Sequence, residues 1–97
     1  MSRSPFFKFR LYTAKDTENS ALAFANLLAI CKANLQEDRY TIEVIDVTRH
    51  PQRALGDGIR MTPTLIKLSP IPELKIVGTL SQTQRVMAAL GIEIIVV

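Results

Sequence analysis

The chain has 97 residues, of which 47% are hydrophobic and 22% charged, and its formal net charge is +3. This length predicts a single domain over residues 1–97, with one core and no separate catalytic domain. No apolar run approaches the roughly 18 residues of a membrane span, so we expect no association with a membrane. The net charge is too small to indicate binding to nucleic acid.

The positive charge lies in the second half of the chain. Residues 1–47 hold six basic and six acidic side chains, whereas residues 48–97 hold six basic and three acidic ones. This excess is either an ordinary solvated surface or a surface that attracts an acidic protein partner. The first residues lack the apolar segment of a secretory signal, and a single cysteine allows no internal disulfide, so we expect a cytoplasmic protein.

The first half is predicted to form a strand, a long helix and a second strand. Apolar and polar residues alternate over Phe6–Thr13, which predicts the first strand. Asp16 and Thr17 are suitable caps for an amphipathic helix over about residues 18–35. β-branched residues over Tyr40–Val47 predict the second strand, which is parallel to the first because a helix connects them.

The second half is predicted to form two helices around a hairpin. A short helix over Pro51–Leu55 begins on a proline, a residue that suits the first helical position. The segments Leu65–Leu68 and Leu74–Val77 are predicted strands on either side of a proline-rich turn. A last helix is expected over Ser81–Leu90, with Ser81 as its cap.

The resulting order βαβαββα is that of the thioredoxin-like α/β fold. It places Thr62-Pro63 where that fold carries a cis-proline, although the dipeptide itself leaves the cis or trans state open. Gly91 stops the last helix, and Ile92–Val97, the strongest β-forming segment, then has no place in the fold. This tail is either an exposed apolar end or a strand in another arrangement of the C-terminal half.

The residues needed for thiol chemistry are missing from their usual place. A thioredoxin-like oxidoreductase carries a cysteine of low pKa at the start of the first helix, but Thr13–Asn19 contains no sulfur. Cys31 lies among apolar residues at core spacing, which indicates a structural cysteine. Tyr12, Ser20 and Pro63 could serve a glutathione transferase, yet no residues remain for the second, helical domain of such an enzyme.

Cofactor, metal and nucleic-acid sites are not predicted either. His50 is the only histidine, and turn polarity explains it more simply than a role as general base. With one cysteine and one histidine there is no local zinc set, and the isolated glycines form no phosphate loop. Phe6, Lys8, Arg10 and Tyr12 share one strand face, a weak pattern for single-stranded nucleic acid, but we expect helices on both sheet faces to bury them.

Several short segments carry a resemblance to one family. In chain order they are Leu11-Tyr12, Asn19-Ser20, Val44-Ile45-Asp46-Val47, His50-Pro51-Gln52, Thr62-Pro63-Thr64-Leu65, Ile76-Val77-Gly78 and Leu80-Ser81. Their spacing resembles that of the KaiB family of the bacterial circadian oscillator over about residues 7–91, without a gap. The sensor domain of the clock output kinase SasA is related, but there it is fused to a kinase.

The resemblance implies a non-enzymatic protein that binds the ATPase KaiC and, in clocks, captures KaiA. It also implies a fold switch, in which residues from about 50 to 97 are thioredoxin-like when bound and rearrange in free oligomers, either dimers or tetramers. KaiB-like proteins also occur together with KaiC in bacteria that lack KaiA, which implies a stress-related role as an alternative. An oligomeric scaffold without a KaiC partner is the remaining alternative.

Five residues are predicted to belong to the partner surface. Arg60, Pro63, Lys67 and Lys75 lie in the basic second half and are candidates for docking a KaiC-like ATPase ring. Glu43 stands where clock members of the family often carry lysine, on the strand edge that holds KaiA. Capture of a KaiA-like protein is therefore in doubt for this chain.

Three residues are predicted to set the balance between the two arrangements. Ala88 and Ala89 are strong helix formers, so they favour the last helix of the thioredoxin-like arrangement. Gly91 and the β-branched tail Ile92–Val97 favour an early end of that helix and the pairing of a strand instead.

Overall fold

The computed structural model describes residues 5–92, and its elements follow the predicted order βαβαββα. They are β1 (Phe7–Thr13), α1 (Glu18–Asn34), β2 (Tyr40–Asp46), α2 (Pro51–Gly56), β3 (Thr64–Ser69), β4 (Leu74–Val77) and α3 (Thr83–Leu90), with a single 3₁₀ turn over Glu37–Arg39. Every helix and strand predicted within these residues is present.

The four strands form one mixed sheet in the order β2-β1-β3-β4. The β1 and β2 strands are parallel, as a helical connection requires, and Leu11 lies beside Val44. The β3 strand is antiparallel to both of its neighbours, and it places Leu65 between Leu11 of β1 and Ile76 of β4. Residues from both halves of the sequence therefore lie side by side at the centre of the sheet.

One face of the sheet carries the main core. Its buried members come from β1, α1, β3 and α3: Phe7, Phe9, Leu11, Ala23, Leu27, Ile30, Cys31, Leu65, Val86, Met87, Leu90 and others. Burial of one large aliphatic side chain contributes about 1.5–3 kcal/mol, so the α1 and α3 stripes hold this layer together. The predicted structural role of Cys31 agrees with its full burial.

The other face of the sheet is covered only in part. The six residues of α2 bury a small cluster of Tyr12, Ile45, Ala54 and Ile66. Because α2 is so short, Lys8 on the same strand face remains exposed. Our expectation that helices would bury this whole strand face is therefore wrong for Lys8, and also for Phe6, whose ring packs 5.8 Å from the Arg39 guanidinium carbon.

The ends of the helices differ in detail from the predicted ones. Ser81 does not cap α3, which begins two residues later with Gln82 at the cap position. Thr17 occupies the cap of α1, but its hydroxyl donates to the Ala14 carbonyl oxygen rather than accepting from the helix. Gly91 does end α3, with φ of 77°, and Ile92 packs into the main core behind it.

Two predictions about the C-terminal half concern backbone states. The Thr62-Pro63 bond is cis, as are Ser69-Pro70 and Ile71-Pro72. The predicted tail strand covers Ile92–Val97, and all of it except Ile92 lies outside the described residues. Within residues 5–92 no helix is long and apolar enough to cross a membrane.

Candidate functional site

Six polar side chains meet where α2 lies over the sheet, and we call them the α2 cluster. They come from β1, β2, α2, the turn after α2 and β4: Arg10, Tyr12, Glu43, Arg53, Asp57 and Lys75. Sheet register explains the gathering, because Arg10 lies beside Glu43 of β2 on one side and Ile66 of β3 on the other. Lys75 of β4 lies beside Ile66 in turn, so one row crosses all four strands.

Asp57 accepts hydrogen bonds from three other members of the cluster, whereas Glu43 accepts them from two. Its Oδ2 atom lies 2.9 Å from Arg10 Nη1 and 2.5 Å from the Tyr12 hydroxyl oxygen. Lys75 donates its ammonium to the Asp57 backbone carbonyl oxygen. The Tyr12 hydrogen bond and then the Arg10 guanidinium hold the pKa of Asp57 below its usual value, against a smaller opposing effect of burial.

Tyr12 is committed to this arrangement as a donor. Its side chain is fully buried, and its hydroxyl lies 3.1 Å from the Arg53 carbonyl oxygen as well as against Asp57. Burial and the neighbouring carboxylate raise its pKa to about 12. Ser20 is 5% exposed, and its Oγ accepts the Ala14 backbone N–H at 2.9 Å. The Tyr12 proton is engaged and the Ser20 hydroxyl is buried, so neither group is presented to a thiol substrate.

Glu43 completes the cluster at the edge strand β2. Its carboxylate lies 2.9 Å from Arg10 Nε and 3.1 Å from Arg53 Nη2. Hydrogen bonds from these two arginines, that of Arg10 first, hold its pKa below the usual range. Since the carboxylate is half-exposed, each pair is worth about 0–1 kcal/mol. Glu43 is thus paired within the chain on β2, the edge strand at which the family resemblance places a KaiA-like partner.

A glycine turn allows the cluster to close. Gly58 follows Asp57 and has φ of 69°, a left-handed conformation that side chains other than glycine adopt with strain. A Cβ atom at this position would lie 3.2 Å from Lys75 Nζ. Glycine therefore lets the Lys75 ammonium reach the Asp57 carbonyl oxygen, and the predicted docking residue Lys75 is held by that bond.

Arg60 is an exposed docking candidate that also lines a cavity. A shallow cavity of about 200 Å³ is lined by Val47, Ala54, Ile59, Arg60, Met61 and Thr62. Met61 is 63% exposed, and Leu55, on α2 next to Ala54, is 80% exposed. Pro63 is buried directly behind this loop, and its carbonyl oxygen accepts the Gly78 N–H at 2.9 Å. The loop thus presents apolar side chains and one cation together.

Lys67 occupies a very different place from the other docking candidates. It lies opposite Phe9 and Leu74, so its side chain stands on the face covered by α1 and α3. The residue is only 4% exposed, and among residues 5–92 its ammonium has no hydrogen bond or ion pair. In this arrangement Lys67 presents almost no surface to a partner.

The three predicted switch residues lie on and after α3. Ala88 and Ala89 are exposed on its outer side. Ala89 also lines a groove of about 410 Å³ between α3 and β4, together with Ile76, Val77, Leu80, Arg85, Val86 and others. Gly91 follows in the left-handed conformation, which ends the helix.

The thiol of Cys31 is held far from reactivity. Its side chain is fully buried and burial raises its pKa to about 11. We expect native protein at pH 8 to react with a chromogenic disulfide reagent at most a hundredth as fast as the urea-unfolded chain, because the thiolate is the nucleophile. Reaction at the unfolded rate in native buffer would contradict this structure of the core.

Metal-ligating side chains are the next feature to consider in the described part of the chain. Within residues 5–92, no group of three or more His, Cys, Asp or Glu side chains is placed to hold a metal ion. His50 is exposed at the cap position of α2 and contributes no side-chain hydrogen bond to that helix.

A family model and two clock proteins match this chain in sequence. The KaiB domain family model matches residues 10–92. The circadian clock protein KaiB3 of Synechocystis sp. is 43% identical over 83 residues, covering 86% of this chain and 80% of that protein. The circadian clock oscillator protein KaiB of Synechococcus sp. is 38% identical over 92 residues, covering 95% of this chain and 89% of that protein.

Solved structures match the fold at much lower identity. The N-terminal domain of Synechococcus elongatus SasA has a TM-score of 0.73 and 17% identity, covering 100% of this chain and 94% of that one. Chloroplastic thioredoxin z has a TM-score of 0.73 and 20% identity, covering 89% of this chain and 76% of that one. These similarities confirm the predicted thioredoxin-like fold.

Proposed function

The chain belongs to the KaiB family, and from this premise we propose that it is a binding module that docks on a KaiC-like ATPase ring. The family assignment confirms that it is a clock-type protein and not an enzyme. The proposal assigns it a modulating role on the ATPase, in a clock or in a timing or stress system derived from one. It also places the complex in the cytosol and the free protein in a homo-oligomer, in which the C-terminal half of the chain takes a second arrangement.

The observation that carries this proposal is the loop that joins α2 to β3. It presents the exposed Met61 and the Arg60 guanidinium beside an open cavity, and Leu55 is exposed on the adjacent helix. Interfaces commonly combine an apolar centre with arginine at its edge, because the centre is desolvated while the charge orients the partner. A complementary partner segment is therefore apolar and acidic.

The other candidate residues contribute to this surface in different ways. Pro63 shapes the loop from behind, and Lys75 supports α2 through the Asp57 carbonyl oxygen. A docking role for Lys67 remains a prediction, and its burial assigns it a structural part in the arrangement described. Glu43 is paired with Arg10 and Arg53, which supports a function that does not depend on a KaiA-like partner.

Charge reversal at Arg60 tests the docking surface. We expect Arg60→Glu to weaken binding to a KaiC-like ATPase about tenfold, or roughly 1.4 kcal/mol, because it opposes an acidic partner. Fluorescently labelled protein is titrated against the ring with ATP, with ADP and without nucleotide. Lys32→Glu is the matched control, since Lys32 lies on α1, across the sheet from α2.

Two outcomes would contradict the proposal at different levels. If the unmodified protein fails to associate with the ring in every nucleotide state, the ATPase is not its partner, and an oligomeric scaffold becomes the better account. If Lys32→Glu weakens binding as much as Arg60→Glu, the partner exists but the surface is elsewhere. Gel filtration of the free protein reports its oligomeric state in the same experiment.

A further inference from the structure

The α2 cluster joins the two halves of the sequence. Arg10, Tyr12 and Glu43 belong to the β1-α1-β2 unit, whereas the other members follow residue 50. The side-chain bonds described in the cluster therefore cross between halves, except the Arg10–Glu43 pair and the bond from Lys75 to Asp57. A rearrangement of the second half would break every crossing bond at once.

Two of these crossing bonds meet on one carboxylate oxygen of Asp57, its Oδ2 atom. Its carboxylate joins Arg10 at 2.9 Å and Tyr12 at 2.5 Å, and its carbonyl oxygen joins the turn to β4 through Lys75. Arg10 keeps a second partner in its own half, namely Glu43. Tyr12 does not, because the acceptors that its hydroxyl reaches are Asp57 and the Arg53 carbonyl, both in the second half.

The cost of opening this cluster falls on a buried group. The Tyr12 side chain is fully buried, and a buried hydroxyl without a partner is penalised more than an exposed one. We propose that Asp57 is a latch, anchored on the Tyr12 hydroxyl, that holds residues 50–92 in the thioredoxin-like arrangement. The second arrangement belongs to the proposed function, but the latch itself is tested without the ATPase.

The charges around Asp57 keep the latch closed at neutral pH. Arg10 and Tyr12 face it from β1, Lys75 faces it from β4, Arg53 lies on α2, and Glu43 is the nearby anion of β2. The hydrogen bond from Tyr12, and then the Arg10 and Lys75 cations, lower the pKa of this carboxylate, so its stabilisation is present above the ordinary Asp pKa of about 3.9. It is lost only as the pH falls through the lower, folded value.

Neutral substitutions test the latch directly. We expect Asp57→Asn and Tyr12→Phe each to raise amide hydrogen exchange of β4 and α3 about tenfold, because the first removes the charge that strengthens the bonds to Asp57 and the second removes the hydroxyl donor. Exchange of the α1 amides, in the half that stays assembled, is expected to change less than twofold. Glu73→Gln is the matched control, since Glu73 is exposed and has no hydrogen bond or ion pair within residues 5–92.

The double variant Asp57→Asn with Tyr12→Phe separates a latch from general damage. Because the two residues share the Tyr12–Asp57 bond, we expect the rise in its exchange rates to fall short of the product of the two single effects. Unchanged exchange in both single variants would overturn the proposal. So would an equal rise in α1, β4 and α3, or fully multiplicative effects in the double variant. None of these outcomes depends on whether a KaiC-like ATPase binds.

Discussion

Leu90→Ala is expected to destabilise the described arrangement by about 2–5 kcal/mol, the range for a large-to-small change in a close-packed core. Leu90 is fully buried in the last turn of α3, where it packs into the main core with Val86 and Met87. A cavity there removes contacts that hold α3 on the sheet. Because α3 lies wholly in the second half, the loss applies to this arrangement of that half.

Leu27→Ala supplies the matched comparison. Leu27 is also fully buried in the main core, but it lies on α1, in the half proposed to stay assembled in both arrangements. We expect Leu27→Ala to lower the urea midpoint of the whole protein. We expect Leu90→Ala to abolish protection of residues 83–90 while α1 stays protected. If both variants lose α1 and α3 protection together, the halves are not separable and the proposed rearrangement is wrong.

Gly91→Val is expected to disfavour the described arrangement by about 1–2 kcal/mol, a five- to thirty-fold change in population. Gly91 has φ of 77°, where a residue with a Cβ atom is strained, and valine also prefers extended backbone. The same direction is expected for Ala89→Gly, which removes a helix former from α3 and costs roughly 1 kcal/mol. Slowly exchanging NMR signals of the two arrangements report the ratio.

Gly56→Ala is the control for the glycine substitution. Gly56 does not have a positive φ, and a Cβ atom there would meet nothing within 4 Å. We expect this change to leave the ratio unaltered or to raise the described population slightly. An unchanged ratio in Gly91→Val, measured beside Gly56→Ala, would show that the end of α3 does not set the balance.

Local patterns were sufficient to predict the order of elements. The alternation over Phe6–Thr13 and the helical spacing from residue 18 produced β1 and α1 within one residue of their observed ends. Gly91 was predicted to stop the last helix and does so in the left-handed conformation. These features depend on neighbours within a few residues, so they can be predicted from local sequence.

Features that depend on the sheet order could not be read from local patterns. Lys67 sits in a strand whose central residues are buried on both faces, so no alternation reveals which side its ammonium faces. The exposure of Lys8 follows from the shortness of α2, which limits the area that this helix covers. Ser81 is a good capping residue by type, yet the backbone begins α3 at Thr83.

The α2 cluster was missed for the same reason. Arg10 and Tyr12 lie two apart on β1, which is a visible sign that they share a strand face. Their partner Asp57 is 47 and 45 residues away in sequence, in a turn between Gly56 and Gly58. Register across β1, β3 and β4 brings these groups together, and register is a property of the assembled sheet.

Backbone chemical shifts of residues 50–92, recorded on perdeuterated protein both free and bound to a KaiC-like ATPase, decide whether the described arrangement is the bound one. We expect the bound protein to show a strand over residues 74–77 and a helix over residues 83–90. We also expect Asp57→Asn to lower the population of that form in the free protein. A bound form without the helix over residues 83–90 would show that the thioredoxin-like arrangement is not the one that binds.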